Sequence, residues 1–128
     1  PTNPDDFFIA DFSSRSIKED QDLDVAAPGA AVVGPYKLNS GNMNSYYYLS
    51  GTSMASPHVA GIVALMAQKH PALVNSQAEM ILESSAIYLA PGCRNVVQGS
   101  GAVAEVCWEA NATGAGLTTA DAALAATP

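Results

Sequence analysis

The longest apolar pattern in the chain leads up to Pro71 and predicts a helix from about Met54 to His70, where the proline stops it. Its middle, "VAGIVALMA", is apolar on every face, so this helix is expected to be buried on all sides. A chain of 128 residues has difficulty surrounding such a helix, which suggests one portion of a larger domain. "NSQAEMILESSAIYL", residues 75–89, predicts a second helix in which Ser76 and Glu79 fit a capping box. "LTTADAALAA", residues 117–126, predicts a short Ala-rich third helix with Thr118 or Thr119 as its N-cap. Strands are predicted in "DFFIADF" (6–12), in "LDVAAPGAAVV" (23–33), which is broken at Pro28-Gly29, and in "YYYLSG" (46–51), which stops at its glycine. "GPYKLNSGNMNS" (34–45) is a loop by composition, and 91–116 reads as Gly/Ala-rich and irregular. Strands alternating with helices favour an α/β class with parallel strands.

Composition sharpens this picture. Charged residues make up 13% of the chain, about half the usual share of roughly 25%, so either the surface is unusually neutral or part of it is covered. A formal net charge of −7, with basic residues that do not cluster, argues against a nucleic-acid partner. Asp5, Asp6 and the acids from Glu19 to Asp24 read as solvated surface, and none has the spacing of a calcium-ligand loop. Nothing approaches a membrane span and no signal peptide is visible, so no membrane partner is expected. A chain that begins at Pro1 is expected to be a processed or excised piece. Cys93 and Cys107 have no C-x-x-C or Cys/His company, which speaks against a metal site. They are compatible with a local disulfide or with two free thiols. Asn111 to Thr113 fits the short glycosylation acceptor pattern.

The candidate chemistry lies in "GTSMASPHVAG", residues 51–61. A strand, a glycine turn, a serine and a helix would set Ser53 where unpaired N–H groups and the positive dipole end converge. Ser53 in that setting is either an N-cap or a nucleophile whose own N–H serves as an oxyanion donor. A nucleophilic serine needs a base within about 3 Å. His58, five residues on, is about 7.5 Å up the axis and roughly 140° round a helix. In an extended segment it would be about 16 Å away. His70 sits at the far end of the helix, roughly 25 Å off, and reads as a cation favoured by the dipole. Neither histidine is therefore expected to activate Ser53. Pro57 leaves the helix start open: either Ser56 is the N-cap, or the helix begins near Ser53 and the Ser53 carbonyl loses its partner.

The stretch resembles the active-site serine motif of the subtilisin-like serine proteases, Gly-Thr-Ser-Met-Ala-x-Pro-His-Val-Ala-Gly, with all ten specified positions matched. "FSSR" (12–15) and "LDVAAPG" (23–29) before it, and "KHPAL" (69–73) and "GAGLTTADAAL" (114–124) after it, resemble the family's flanking segments. Residues 91–113, with both cysteines and Trp108, look longer than the family's usual connection. The resemblance implies that residues 1–128 are the C-terminal part of a subtilase catalytic domain, an α/β parallel-sheet fold with a central buried helix. It implies a serine endopeptidase with a triad in the order Asp, His, Ser and with Ser53 as nucleophile. The chain holds no Asp-Ser/Thr-Gly and no His-Gly-Thr-His motif. The triad Asp and His and the oxyanion Asn are then expected upstream, and the isolated chain is expected to be inactive. The resemblance further implies a protein or peptide substrate, the N-terminal remainder of the domain as partner, secretion, and calcium binding elsewhere in the parent domain. Two rival readings are a non-catalytic module derived from a subtilase, and an α/β-hydrolase. The latter would require its acid and base after Ser53, where Asp121 is the only aspartate.

Overall fold

A computed structural model describes residue 3 and residues 6–17, 22–35 and 46–128. Asp5, Glu19 and Asp20 of the acids read as solvated, and residues 36–45 of the predicted loop, lie outside the described residues. Asp6, Asp22 and Asp24 are exposed, as read. The elements in chain order are β1 (Val32–Pro35), β2 (Tyr46–Leu49), α1 (Thr52–Lys69), α2 (Asn75–Ser85), β3 (Gly92–Val97), β4 (Val103–Trp108), a 3-10 turn (Ala110–Ala112) and α3 (Ala120–Ala126). Strands β1 and β2 form one antiparallel pair and β3 and β4 another.

The centre is a ladder of backbone bonds among three segments. Gly114–Thr118 runs between residues 24–26 on one side and Ile87 on the other. Ala115 N–H donates to Asp24 O, Ala26 N–H to Gly116 O and Thr118 N–H to Ala26 O. Across the segment, Leu117 and Ile87 exchange both backbone bonds, at 2.8 and 2.9 Å. The Ala26–Leu117 bridge is parallel and the Ile87–Leu117 bridge antiparallel. The α/β class thus stands. Among the described residues its parallel pairing is confined to Ala26 and Leu117.

Two glycines make this ladder passable. A Cβ on Gly116 would lie 2.1 Å from the Ile87 carbonyl oxygen, and one on Gly114 would lie 2.2 Å from that of Leu23. Their φ values of 126° and 53° also disfavour any other residue. The ladder adjoins two apolar clusters. Ile9, Leu89, Trp108, Ala112 and Leu117 form one, with Ala26 against it. Ile62, Met66, Ala78, Leu82 and Ala123 form the other, with Val25 against it. Val25 and Ala26 serve opposite clusters because successive side chains of an extended segment point to opposite faces.

The second cluster gathers the inner stripes of the three helices. Lys69 fastens the end of α1 to the end of α3, its Nζ donating to Leu124 O at 2.9 Å and Thr127 O at 2.6 Å. Among the described residues α1 is covered on one face. Ile62 and Met66 are buried, whereas Ala60, Gly61, Ala64, Leu65 and Ala67 are exposed. Among the described residues α2, α3 and neighbours such as Val25 pack on it, which do not by themselves surround a helix expected to be buried on all sides in a larger domain.

Three local readings also change. Residues 7–10 belong to no helix or strand and 11–12 lie in a turn, so among the described residues "DFFIADF" forms no strand pairing. Helix α2 starts with Val74 as N-cap, whose N–H is accepted by Gln77 Oε1 at 3.2 Å, so the reciprocal partner is Gln77 and not the Ser76–Glu79 pair. Helix α3 does start at Thr119, but no side-chain capping bond is made there. The Thr119 hydroxyl, and then the Ala122 N–H, bond the Asp121 carboxylate and hold it below its ordinary range.

The stretch read as irregular contains the β3–β4 hairpin, with Cys93 opposite Cys107 and a disulfide between them. Trp108 anchors the hairpin: its ring is buried in the first cluster, Nε1 donates to Ala90 O at 2.9 Å, and the Arg94 guanidinium lies over it. Asn111 ties the following turn to Ser16 through its backbone carbonyl and its side-chain amide.

Gly116→Ala is expected to cost about 3 kcal/mol, since the Ile87 carbonyl cannot accommodate a methyl group. Gly99→Ala, in open space at the hairpin tip, should stay within about 0.5 kcal/mol. Equilibrium denaturation of the two variants checks the contrast. Replacing both cysteines by serine should cost about 3 kcal/mol, the chain-entropy value for a loop of this length, and should open the hairpin to limited proteolysis.

Candidate active site

Ser53 owes its position to two short segments that clasp the junction between β2 and α1. Gly51 N–H donates to Gly29 O at 2.8 Å, and Ala31 N–H donates to Ser50 Oγ at 2.9 Å. The Pro28-Gly29 turn, read from sequence only as a strand breaker, is thus one jaw of the clasp. Gly51 is the N-cap of α1, and Met54 N–H closes the first turn on the Gly51 carbonyl at 3.0 Å.

Ser53 is therefore the second residue of the helix and does not hold the capping position. It is exposed. Its N–H lies in the first turn, where no carbonyl four residues back exists within the helix to receive it. The two helix starts left open by the sequence are resolved in favour of the earlier one, with Pro57 inside the helix. Pro57 has no N–H, so the Ser53 carbonyl receives no bond from that position.

The two histidines stand apart from the serine. His58 Nδ1 lies 2.8 Å from Met54 O, a bond in which the carbonyl can only accept, so the neutral ring carries its proton on Nδ1. The imidazole is engaged along the helix with the residue one turn back. His70 is the C-cap, its N–H donating to Met66 O and its carbonyl accepting from Leu73 N–H. The cation that bonds helix-end carbonyls is Lys69, which sequence reasoning passed over although a basic residue in a last turn is a recognised signal.

An apolar cleft of about 430 Å³ opens beside the first turn of α1, between Phe8, Phe12, Val25 and Val59, with Ala55 and Ser56 on its wall. Ser53 is not among its lining residues. Two groups of potential metal ligands occur among the described residues. Cys93, Glu105 and Cys107 form one, but the disulfide occupies both sulfurs. Asp24, Glu79 and Glu83 form the other, with one carboxylate oxygen each within 4.8 Å of the others. All three carboxylates are exposed, and exposed acidic groups of this kind are common on surfaces that hold no ion, so no metal is assigned to them. No described helix is long and apolar enough to cross a membrane.

Among solved structures, the chain is similar to fervidolysin from Fervidobacterium pennivorans, a keratinolytic enzyme related to subtilisin. The TM-score is 0.59 and the identity 29%, over 80% of this chain and 15% of that one. It is also similar to a protease from Pseudoalteromonas arctica, with a TM-score of 0.59 and 32% identity over 83% of this chain and 30% of that one. Among characterised relatives, it is 45% identical to a subtilisin from Bacillus pumilus over 80 residues, 62% of this chain and 26% of that protein. It is 38% identical to an extracellular protease from Xanthomonas campestris over 109 residues, 81% of this chain and 16% of that protein. The chain therefore spans about a quarter or less of the length of these two relatives. The family profile of the subtilases matches residues 6–119, which is most of the sequence. With Ser53 at the head of α1, within a motif matched at every specified position, this chain belongs to the subtilase family of serine proteases.

Proposed function

We propose that the protein carrying this chain is a serine endopeptidase in which Ser53 is the nucleophile. The observation that carries the reading is the placement of Ser53, exposed on the first helical turn and clasped through Gly51 and Ser50. Ser53 Oγ attacks the scissile carbonyl and its proton passes to an imidazole from an upstream segment, which an upstream aspartate orients. The negative charge on the former carbonyl oxygen is met by the Ser53 N–H and by an upstream asparagine. The imidazole returns the proton to the leaving amine, and water then hydrolyses the acyl-enzyme. His58 takes no part in these transfers, because it lies five residues along α1 from Ser53, about 7.5 Å up the axis and roughly 140° round it.

The same upstream segments would cover the outer face of α1, where Leu65 is 44% exposed in this chain. A protein or peptide is the substrate, and the extracellular relative in Xanthomonas campestris together with the disulfide supports a site of action outside the cell. No calcium step is assigned to the residues of this chain.

Residues 1–128 alone are expected to react with a fluorophosphonate probe no faster than free serine, because no base reaches Ser53. Stoichiometric labelling of Ser53 should appear when the upstream portion is present. Rapid labelling of the isolated chain would overturn the assignment of the base to an upstream segment. In the full-length protein, Ser53→Ala should lower kcat by roughly six orders of magnitude, a figure taken from removal of the nucleophile in subtilisin itself. His58→Gln should keep the labelling rate within about tenfold.

A further inference from the structure

The hairpin that delivers Ser53 has an unusual outward face. Register pairs Val33 with Tyr48 and Pro35 with Tyr46, so these four side chains share one side of the β1–β2 pair. Val32, Gly34, Tyr47 and Leu49 occupy the other side and are half-buried. A sheet with one solvated face ordinarily shows polar residues outward. Here every outward residue is apolar or aromatic, with Tyr46 70%, Tyr48 77% and Val33 54% exposed. A contiguous apolar face of this kind marks a site of interaction. Tyrosine suits recognition, since it offers a large rigid surface with few rotors and a hydroxyl at its rim.

The position of the face selects its occupant. Tyr48 lies five residues before Ser53, so the two are at most about 18 Å apart even along a fully extended chain. The connection is not loose, because Ser50 and Gly51 are both held by the 29–31 turn. A polypeptide whose scissile bond sits on Ser53 covers that distance with about five or six extended residues. From this geometry we infer that Val33, Pro35, Tyr46 and Tyr48 form a docking face for the substrate polypeptide itself. The face takes an apolar or aromatic side chain a few residues away from the bond being cut. The inference rests on Ser53 being the nucleophile. The strand that carries the tyrosines leads directly into the nucleophile's turn, which a second copy of the chain would have no reason to favour.

The test uses the full-length protein with Tyr46→Ser/Tyr48→Ser, with Tyr46→Phe/Tyr48→Phe as the conservative pair. Val97→Ser/Val103→Ser, on the exposed face of the other hairpin, serves as control. Two substrate sets are compared: a short peptide anilide that ends at the scissile bond, and longer peptides with Phe or Ser placed at each position three to seven residues from it. Wild type should prefer Phe over Ser at one or two of those positions by about tenfold in kcat/KM. The serine pair should abolish that preference through KM with kcat retained, the phenylalanine pair should preserve most of it, and the control should not alter it. An undiminished Phe preference in the serine pair would overturn the inference, as would equal losses on short and long substrates. A change in sedimentation of the serine pair without a change in preference would assign the face to a second copy and would overturn it too. If wild type cut neither set and Ser53 resisted the fluorophosphonate, the assignment of the nucleophile would itself fail, a result distinct from all of these.

Discussion

The arrangement depends on one narrow passage, the course of Gly114–Thr118 between Asp24–Ala26 and Ile87. Five backbone hydrogen bonds converge on it, and they join segments that are distant in sequence. The segment accepts neighbours on both sides only because residues 114 and 116 lack side chains: a methyl group at either would stand little more than 2 Å from a backbone oxygen. Leu117 then turns into one apolar cluster, and the chain continues into α3, where Ala123 closes the other. Both clusters are thus referenced to the same strip of backbone.

From that strip the order propagates to Ser53 through bonds of short range. Once Ala26 is fixed against Gly116 and Leu117, the Pro28-Gly29 turn three residues later is fixed as well. Its carbonyl at Gly29 receives Gly51 N–H, and Ala31 N–H reaches Ser50 Oγ. Ser53 is thereby held relative to the ladder by backbone contacts, while its own side chain stays exposed. Helix α1 is secured at its opposite end by Lys69 on the last carbonyls of α3. A catalytic serine gains from being carried by a rigid element in this way, since tolerances at reacting atoms are fractions of an ångström.

What could be read from the sequence follows the range of the forces involved. The extent of α1 was legible because Gly51 and Pro71 punctuate it locally, and the exclusion of His58 was legible because helical rise and rotation are local quantities. The family motif around Ser53 was legible because it is contiguous. The β3–β4 hairpin was not. Val97 and Val103 face outward while Val96 and Val106 are half-buried, so no clean polar-apolar alternation announces either strand. "DFFIADF" has the opposite character: it has the composition of a strand but no partner among the described residues, and pairing is decided by neighbours far away in sequence. The demand for glycine at residue 116 likewise comes from Ile87, and nothing adjacent to Gly116 reveals it. The Ser76–Glu79 pattern misled by a shift of register, since Gln77 reaches the N–H of Val74 and the helix starts two residues earlier than the serine implied.

Two features that look unrelated have a common physical origin. Among the described residues neither histidine is placed to serve Ser53 as its base, and the outer face of α1 lacks apolar cover. A serine hydroxyl at a helix N-terminus gains from the dipole and from nearby N–H groups, but these stabilise negative charge after it forms and do not remove the proton. An apolar helix face in water is likewise tolerable but costly, at about 25 cal/mol for each Å² left exposed. The upstream segments proposed to supply the imidazole would meet both needs from the same side of the helix. Burying the apolar face of α1 would then be the force that brings the base to its serine. On this view the helix is apolar all round because its inner face fixes the nucleophile within this chain, while its outer face recruits the groups that activate it.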